Sequence, residues 1–339
     1  MKTQVFATFG PACRSKEILK EMIAAGMTGI RLNLSHTTLL TSQDDIRAYQ
    51  EAAREMRVSP QILIDMQGPE LRIGNLEKPI LLEKGITVRL GVKGIPIPKE
   101  IFSVVCPEDK ILLDDGKIQI KVVSVSEDFL LAEVIRGGLL RGHKSIKIEN
   151  RNIKMPVLTD HDLENIRLAK AYGVTALMQP FVRNGEDLAY VRAVLKENQA
   201  EDIQIFAKIE NRLGVENLES ILSEADVVVI ARGDLGNDMP LWELPTVQKQ
   251  IENVCKKHNR SYVVVTQMLA SMEENPVPTR AEVSDIFHAV WQGAWGVMIT
   301  GESAVGKYPV KAVEYLAKTA CEAEKYRDKE SENGKGNGI

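Results

Sequence analysis

At 339 residues, 44% apolar and 27% charged, the chain can build one large core, or a core with an inserted smaller domain. A formal net charge of −4 gives no electrostatic footprint for nucleic acid or an anionic membrane. No apolar run approaches the roughly 18–20 residues that span a bilayer, and Gln4 and Pro11 interrupt the N-terminus too early for a signal peptide.

Four scattered cysteines, Cys13, Cys106, Cys255 and Cys321, form no CxxC pair and read as reduced thiols, so the expected setting is cytoplasmic. In chain order, a strand at Thr3–Thr8 precedes Gly10-Pro11 and a helical pattern from Lys16 to Ala25. A second strand, Gly29–Leu34, leads to a charged helix at Gln43–Met56, and a third strand is Gln61–Asp65. This βαβαβ rhythm predicts a parallel sheet. From about Ile73 to Glu149 the texture becomes short alternating stretches punctuated by Gly91, Gly94-Ile-Pro96, Asp114-Asp-Gly116 and Gly137-Gly138. That pattern predicts an inserted all-β module, a small barrel over 73–153.

From Thr159 the helix–strand rhythm returns, with strands near Ala176–Gln179, Gln204–Ile209, Val227–Ala231, Tyr262–Val265 and Gly296–Thr300. Three strands before the insertion and five after it make eight, the count of a closed (β/α)8 TIM barrel over 1–72 and 154–328. The last helix is expected over Pro309–Tyr326. The Gly-, Asn- and Lys-rich residues 329–339 read as a disordered tail, with no C-terminal α/β domain after the barrel.

In such a barrel the active site lies where the strands end. Unbroken Ile/Val runs are strands buried on both faces. Here they finish in Lys208 and Glu210, and in Arg232-Gly233-Asp234. Parallel neighbours bring that cation and the carboxylates to one rim, a way to hold a divalent metal beside a fixed positive charge. The other ends supply Arg31, Asn33, Ser35, His36, Asp65, Thr266-Gln267 and Thr300-Gly301-Glu302. Asn33, Ser35 and Asp65 are hard oxygen donors for a second cation. Together these groups point to phosphoryl transfer or enolate stabilisation on an anionic substrate. A structural ion-pair network at the rim is the competing interpretation. Gly301-Glu-Ser-Ala-Val-Gly306-Lys307-Tyr308 imitates a phosphate-binding loop, but Tyr308 stands where a Ser/Thr hydroxyl would bind Mg²⁺. Arg280-Ala-Glu282 suits a helix cap or a barrel–barrel contact, and the three tryptophans suit packing.

At these residues the chain resembles the pyruvate kinase family from Thr3 to about Glu324. The matching stretches are Thr8-Phe-Gly-Pro-Ala12, Arg31-Leu-Asn-Leu-Ser-His36, Asp65-Met-Gln-Gly-Pro-Glu-Leu-Arg72 and Lys208-Ile-Glu-Asn211. They continue through Ala231-Arg-Gly-Asp-Leu-Gly236, Thr266-Gln-Met-Leu269, the run Asn275–Asp285 and Gly301–Pro309. The resemblance implies Mg²⁺ (or Mn²⁺) on Glu210 and Asp234, and K⁺ on Asn33, Ser35, Asp65 and the Met66 carbonyl. It gives Lys208 the transferring phosphoryl group and the enolate, Arg31 the phosphate, and Thr266 a place beside the protonated carbon. The Gly233–Asp234 backbone would receive the substrate carboxylate. Arg31, His36, Arg72 and Lys144 would contact the nucleotide, Lys144 from the inserted domain acting as a lid. The implied substrates are phosphoenolpyruvate or pyruvate with ADP or ATP, with a homodimer through barrel faces as the one protein partner.

The sequence departs from the family pattern at Met66, Thr37 and Thr41, over Lys144–Glu149, at Pro180 and at Gln292-Gly-Ala-Trp295. These changes fall mostly on the nucleotide side. They leave room for a paralogue that uses the same centre for phosphotransfer to a specialised acceptor, or for aldol or decarboxylation chemistry. A non-catalytic phosphoenolpyruvate-binding regulator is the third option.

Overall fold

The computed structural model describes residues 2–35, 37–149, 153 and 155–336. His36, expected at the nucleotide, lies outside them. Contacts divide the chain into two units, residues 1–68 with 157–339, and Pro69–Pro156. The second is a few residues wider than the 73–153 read from sequence.

The first unit is built on β1 (Gln4–Thr8), β2 (Gly29–Asn33) and β3 (Gln61–Asp65). The second unit supplies β4 (Ile80–Leu82), β5 (Thr87–Gly91), β6 (Lys110–Leu113), β7 (Ile118–Val125), β8 (Phe129–Arg136), β9 (Gly138–Leu140) and β10 (Ile146–Ile148). The first unit resumes with β11 (Ala176–Gln179), β12 (Gln204–Ile209), β13 (Val227–Ala231), β14 (Ser261–Val265) and β15 (Gly296–Ile299). Helices follow these strands in turn: α1 (Lys16–Ala24), α2 (Gln43–Glu55), α3 (Asp160–Ala169), α4 (Gly185–Glu197), α5 (Arg212–Glu216) and α6 (Leu218–Glu224). After β13 come α7 (Arg232–Asn237) and α8 (Leu244–Lys257), after β14 comes α9 (Arg280–Trp291), and after β15 come α10 (Gly301–Ala304) and α11 (Pro309–Gly336).

Strands β1, β15, β14, β13, β12, β11, β3 and β2 close, in that order, into the expected parallel barrel. Inward residues Phe6, Leu63, Met178, Phe206, Val229, Val263 and Met298 fill its interior, with Trp295 packed against them. The outward set, including Leu32, Ile64, Ile205, Val228 and Val264, packs with helix side chains. Both faces are therefore apolar, which is why the strands show no alternation. The inward positions that continue past this layer are polar: Thr8, Arg31, Asp65 and Lys208. Period-2 geometry aims them at the C-terminal mouth.

The second unit differs from the small barrel expected. Its strands form a five-stranded antiparallel sheet, β10-β6-β7-β8-β5, and a separate β4-β9 ribbon. Among the described residues, β10 and β5 are the sheet's edges, and the alternating Ile118, Ile120 and Val122 bury one face of β7. The tail also departs from expectation. α11 continues through 329–336, where composition suggested disorder, because Glu and Lys are strong helix formers at i,i+3 and i,i+4 spacing. Earlier in α11, Lys318 pairs with Glu314 and Lys325 with Glu322 at that spacing.

Among the described residues no helix is long and apolar enough to cross a membrane. Trp295 packs on Phe6 and Phe206, with ring centroids 5.9 and 6.0 Å away. Trp242 does not pack: it is 81% exposed, because it sits in the turn between α7 and α8 rather than on a helix face.

Candidate active site

The mouth of the barrel holds a charged cluster built on β2, β3 and β12. Lys208 is the penultimate residue of β12, and its Nζ lies 3.3 Å from Asp65 Oδ1 and 3.3 Å from Glu210 Oε2. Asp65 Oδ2 accepts from Arg31 Nε at 2.9 Å and Nη2 at 2.5 Å. Arg31 Nη1 donates to the Thr8 hydroxyl at 3.0 Å. In the β2–β3 register Asn33 is the partner of Asp65, which brings Arg31 close to the carboxylate. Burial alone would raise the Asp65 carboxyl, but Lys208 and Arg31 outweigh it and hold it below its ordinary value. Burial would likewise depress Lys208. Asp65, Glu210 and Asp234 reverse that and keep the ammonium charged well above neutral pH.

Glu210 behaves differently. Burial pushes its carboxyl up to about 7, with Asp234 adding repulsion against the pull of Lys208. Oε1 accepts the Phe181 backbone N–H at 2.9 Å, whereas Oε2 is buried and accepts no hydrogen bond. Asp234, in the first turn of α7, is exposed. A buried carboxylate oxygen that meets only the Lys208 ammonium at 3.3 Å, beside a second carboxylate, is a hard-oxygen donor set that suits a divalent cation. Among the described residues no group of three or more His, Cys, Asp or Glu could hold a metal. Two carboxylates are the usual protein share for Mg²⁺, whose remaining ligands are water and substrate oxygens.

Asp65 has a role that sequence did not reveal. Expected as a potassium ligand, it is the carboxylate that holds Arg31 and Lys208 together. Its Oδ1 faces the Lys208 ammonium at 3.3 Å, so a cation bound there would share that oxygen with Lys208. Asn33 is exposed, and its Oδ1 accepts the Ser35 N–H at 3.1 Å. Met66 follows Asp65 and is buried.

Thr266 immediately follows β14 with φ at 80°, and Gln267 follows at 57°. A β-branched residue in that region is strained by roughly 1–3 kcal/mol, and such strain gathers at functional sites. Two interactions sustain it. Gly233 lacks the Cβ that would crowd the Thr266 methyl, and Arg232 donates to the Thr266 carbonyl at 2.8 Å through Nη2. Arg232 and Thr8 carried no expected role, although both sit inside motifs quoted for the family. The phosphate-loop mimic is structural: Glu302 accepts the backbone N–H of Thr300 at 2.7 Å and of Leu269 at 3.0 Å. Glu282 caps α9 in a capping box with Thr279.

Within the second unit, Arg72 pairs with Glu70 at 2.5 Å and donates to the His143 carbonyl at 2.8 Å. Lys144 pairs with Asp114 at 2.8 Å; burial would raise the Asp114 carboxyl, but Lys144 and Lys117 outweigh it and hold it below its ordinary value.

Comparison with known proteins agrees with the barrel fold. The family described as "Pyruvate kinase, barrel domain" matches residues 1–313. The pyruvate kinase of Chlamydia pneumoniae is 38% identical over 333 residues, covering 96% of this chain and 69% of the relative. That of Thermococcus litoralis is 38% identical over 336 residues, covering 96% and 70%. That of Clostridium acetobutylicum is 35% identical, covering 95% and 70%. With the barrel, the charged mouth and these matches in accord over nearly its whole length, the chain belongs to the pyruvate kinase family and is a phosphotransferase of that type.

Proposed function

We propose that the barrel moves a phosphoryl group between phosphoenolpyruvate and ADP, or between ATP and pyruvate, with Mg²⁺ (or Mn²⁺) and K⁺ assisting. The observation that carries this is Lys208, a buried ammonium fixed between Asp65 and Glu210 at 3.3 Å from each. Such a preorganised cation neutralises charge that develops on a transferring phosphoryl oxygen or an enolate. Glu210 and Asp234 would hold the divalent ion, which supplies further charge neutralisation when bound. Asn33, Ser35, Asp65 and the Met66 carbonyl would hold K⁺.

The chain's own groups have separate tasks. Arg31, oriented by Asp65 and Thr8, grips the phosphate. The backbone at Gly233–Asp234 receives the substrate carboxylate. The Thr266 hydroxyl stands where the enol carbon gains its proton. For His36, Arg72 and Lys144 a nucleotide role rests on the family resemblance alone. A homodimer through barrel faces fits the exposed Leu241 and Trp242, 70% and 81% accessible. Light scattering of the purified chain distinguishes it from a monomer. A cytoplasmic setting accords with the four cysteines, all free thiols.

The direct test is ATP formation from phosphoenolpyruvate and ADP with both cations present. Turnover that is absent from the wild type, or retained in Lys208→Met and Asp234→Ala, would overturn the proposal. An acceptor other than ADP is favoured by one observation: Lys144 and Arg72 are both committed to carboxylates, Asp114 and Glu70. Calorimetric binding of ADP at millimolar Mg²⁺ would count against that alternative.

A further inference from the structure

Arg232 stands where β13 becomes α7, immediately before Gly233 and Asp234. Its side chain is only 12% exposed, and its donors go to other parts of the protein. Nη2 and Nε donate to the Thr266 carbonyl at 2.8 and 3.3 Å. Nη2 also contacts Met268 Sδ at 2.9 Å. Nη1 meets both carboxylate oxygens of Asp285, Oδ1 at 2.9 Å and Oδ2 at 2.8 Å.

Asp285 lies on α9, whose first turn is itself fixed. Glu282 accepts the backbone N–H of Ser271 at 2.7 Å, in the loop that leaves Thr266. The loop from Thr266 is thus tied to α9 twice, once through Ser271 and once through Arg232. The second tie ends on the carbonyl of Thr266, the residue whose φ of 80° sets the direction of its side chain. An Arg fork that chelates one carbonyl fixes orientation as well as distance.

We propose that Arg232 and Asp285 are positioning residues for Thr266. They lock its left-handed peptide so that the hydroxyl meets the enol carbon, and neither touches substrate. This deepens the function proposed above and rests on its placement of Thr266. The step served is ketonisation: a solvent O–H bond breaks and its proton, passed by way of the Thr266 hydroxyl, forms the C–H bond at the methylene carbon; the C=C pair supplies the electrons, and a lone pair on the enolate oxygen closes the carbonyl. In reverse, a pyruvate methyl C–H breaks, its proton leaves to solvent, and its pair moves into the C=C bond.

The test uses the full chain and Asp285→Asn, which keeps the shape and weakens the clamp, beside Arg232→Met and Arg232→Lys. Deuterium entry into the pyruvate methyl group, followed by NMR in D2O with Mg²⁺, K⁺ and ATP, should fall about tenfold to a hundredfold in Asp285→Asn. Its kcat should fall similarly, with the KM for phosphoenolpyruvate changed less than about threefold. Arg232→Lys should lie between Arg232→Met and wild type. Thr266→Ala combined with Asp285→Asn should lose no more than Thr266→Ala alone. Additive losses, or methyl exchange left at the wild-type rate, would overturn the clamp. Should Arg232→Met not fold, Asp285→Asn carries the test. Should the wild type neither make ATP nor exchange the methyl group, the pyruvate chemistry fails. Hydrogen-exchange mass spectrometry of residues 262–275 then decides the clamp, which stands if Asp285→Asn deprotects that segment and falls if protection is unchanged.

Discussion

Gly233 and Thr266 meet so closely across the ends of β13 and β14 that a Cβ on Gly233 would lie 3.0 Å from Thr266 Cγ2. Relief would require Thr266 to move by a few tenths of an ångström. Its peptide is held in the left-handed region by Arg232, so the movement would displace the hydroxyl that the proposed chemistry uses. Gly233→Ala should therefore lower kcat/KM about tenfold to a hundredfold while shifting Tm by only a few degrees. Parallel steady-state kinetics and thermal unfolding check it. Equal activity, or unfolding at room temperature, would contradict the fit described here.

Lys208 joins catalysis to stability. It neutralises two buried carboxylates, Asp65 and Glu210, at 3.3 Å each. Removing one partner of a buried ion pair costs roughly 3–5 kcal/mol, because the charge left behind has no compensation. Lys208→Met should accordingly lose at least about 10²–10³ in kcat and also unfold at a clearly lower denaturant midpoint. Combining it with Asp65→Asn should recover part of the stability and none of the activity. Equilibrium unfolding in urea reads the first effect, and ATP formation reads the second.

Lys208, Glu210 and Asp234 were legible in the sequence because each ends or follows an apolar run with no alternation, and parallel pairing forces such ends together. What was not legible depends on neighbours distant in sequence. Asp65 reads alone as an oxygen donor, and only the β2–β3 register shows it bound to Arg31, 34 residues away. Asp285 lies 53 residues from Arg232, and nothing in the Thr266-Gln267 dipeptide announces two positive φ angles. The extension of α11 was masked by Gly and Asn, which outweighed Lys–Glu spacing in a reading by composition. The closing of the β module could not be read at all, since alternation fixes which face is buried and not which strands become edges.

Glu210 and Asp234 should respond differently to loss of metal. Asp234 is exposed, and among the described residues its carboxylate makes no hydrogen bond or ion pair. Asp234→Asn should leave the unfolding midpoint of the metal-free protein within about 0.5 kcal/mol of wild type, as surface changes do. Glu210 is buried against Lys208, so Glu210→Gln should alter that midpoint measurably. Both should abolish the Mg²⁺-dependent stabilisation, which for wild type reaches about 2.7 kcal/mol at a metal concentration a hundredfold above Kd and appears as a rise in Tm. Differential scanning fluorimetry with and without MgCl2 separates the cases. A preserved Mg²⁺ shift in both variants would remove these carboxylates from the metal site.

Glu282 gives a prediction in pH rather than ligand. Its carboxylate accepts from the backbone N–H groups of Ser271 at 2.7 Å and Thr279 at 2.8 Å, and from both hydroxyls. Burial would raise this carboxyl, but those donors outweigh it and hold it below its ordinary value in the folded chain. A depressed folded pKa means stability that is fully present above the unfolded value, about 4.3. That stability is lost as pH falls through the lower folded value. Glu282→Gln keeps the shape and removes the charge, so at pH 7 it should be less stable by roughly 1–2 kcal/mol, the range of a lost cap. The gap should narrow below about pH 4, where the wild-type carboxyl is also protonated. Urea midpoints of both proteins from pH 3 to pH 7 measure it, and a gap that stays constant through pH 3 would mean that the ionised carboxylate is not what fixes α9.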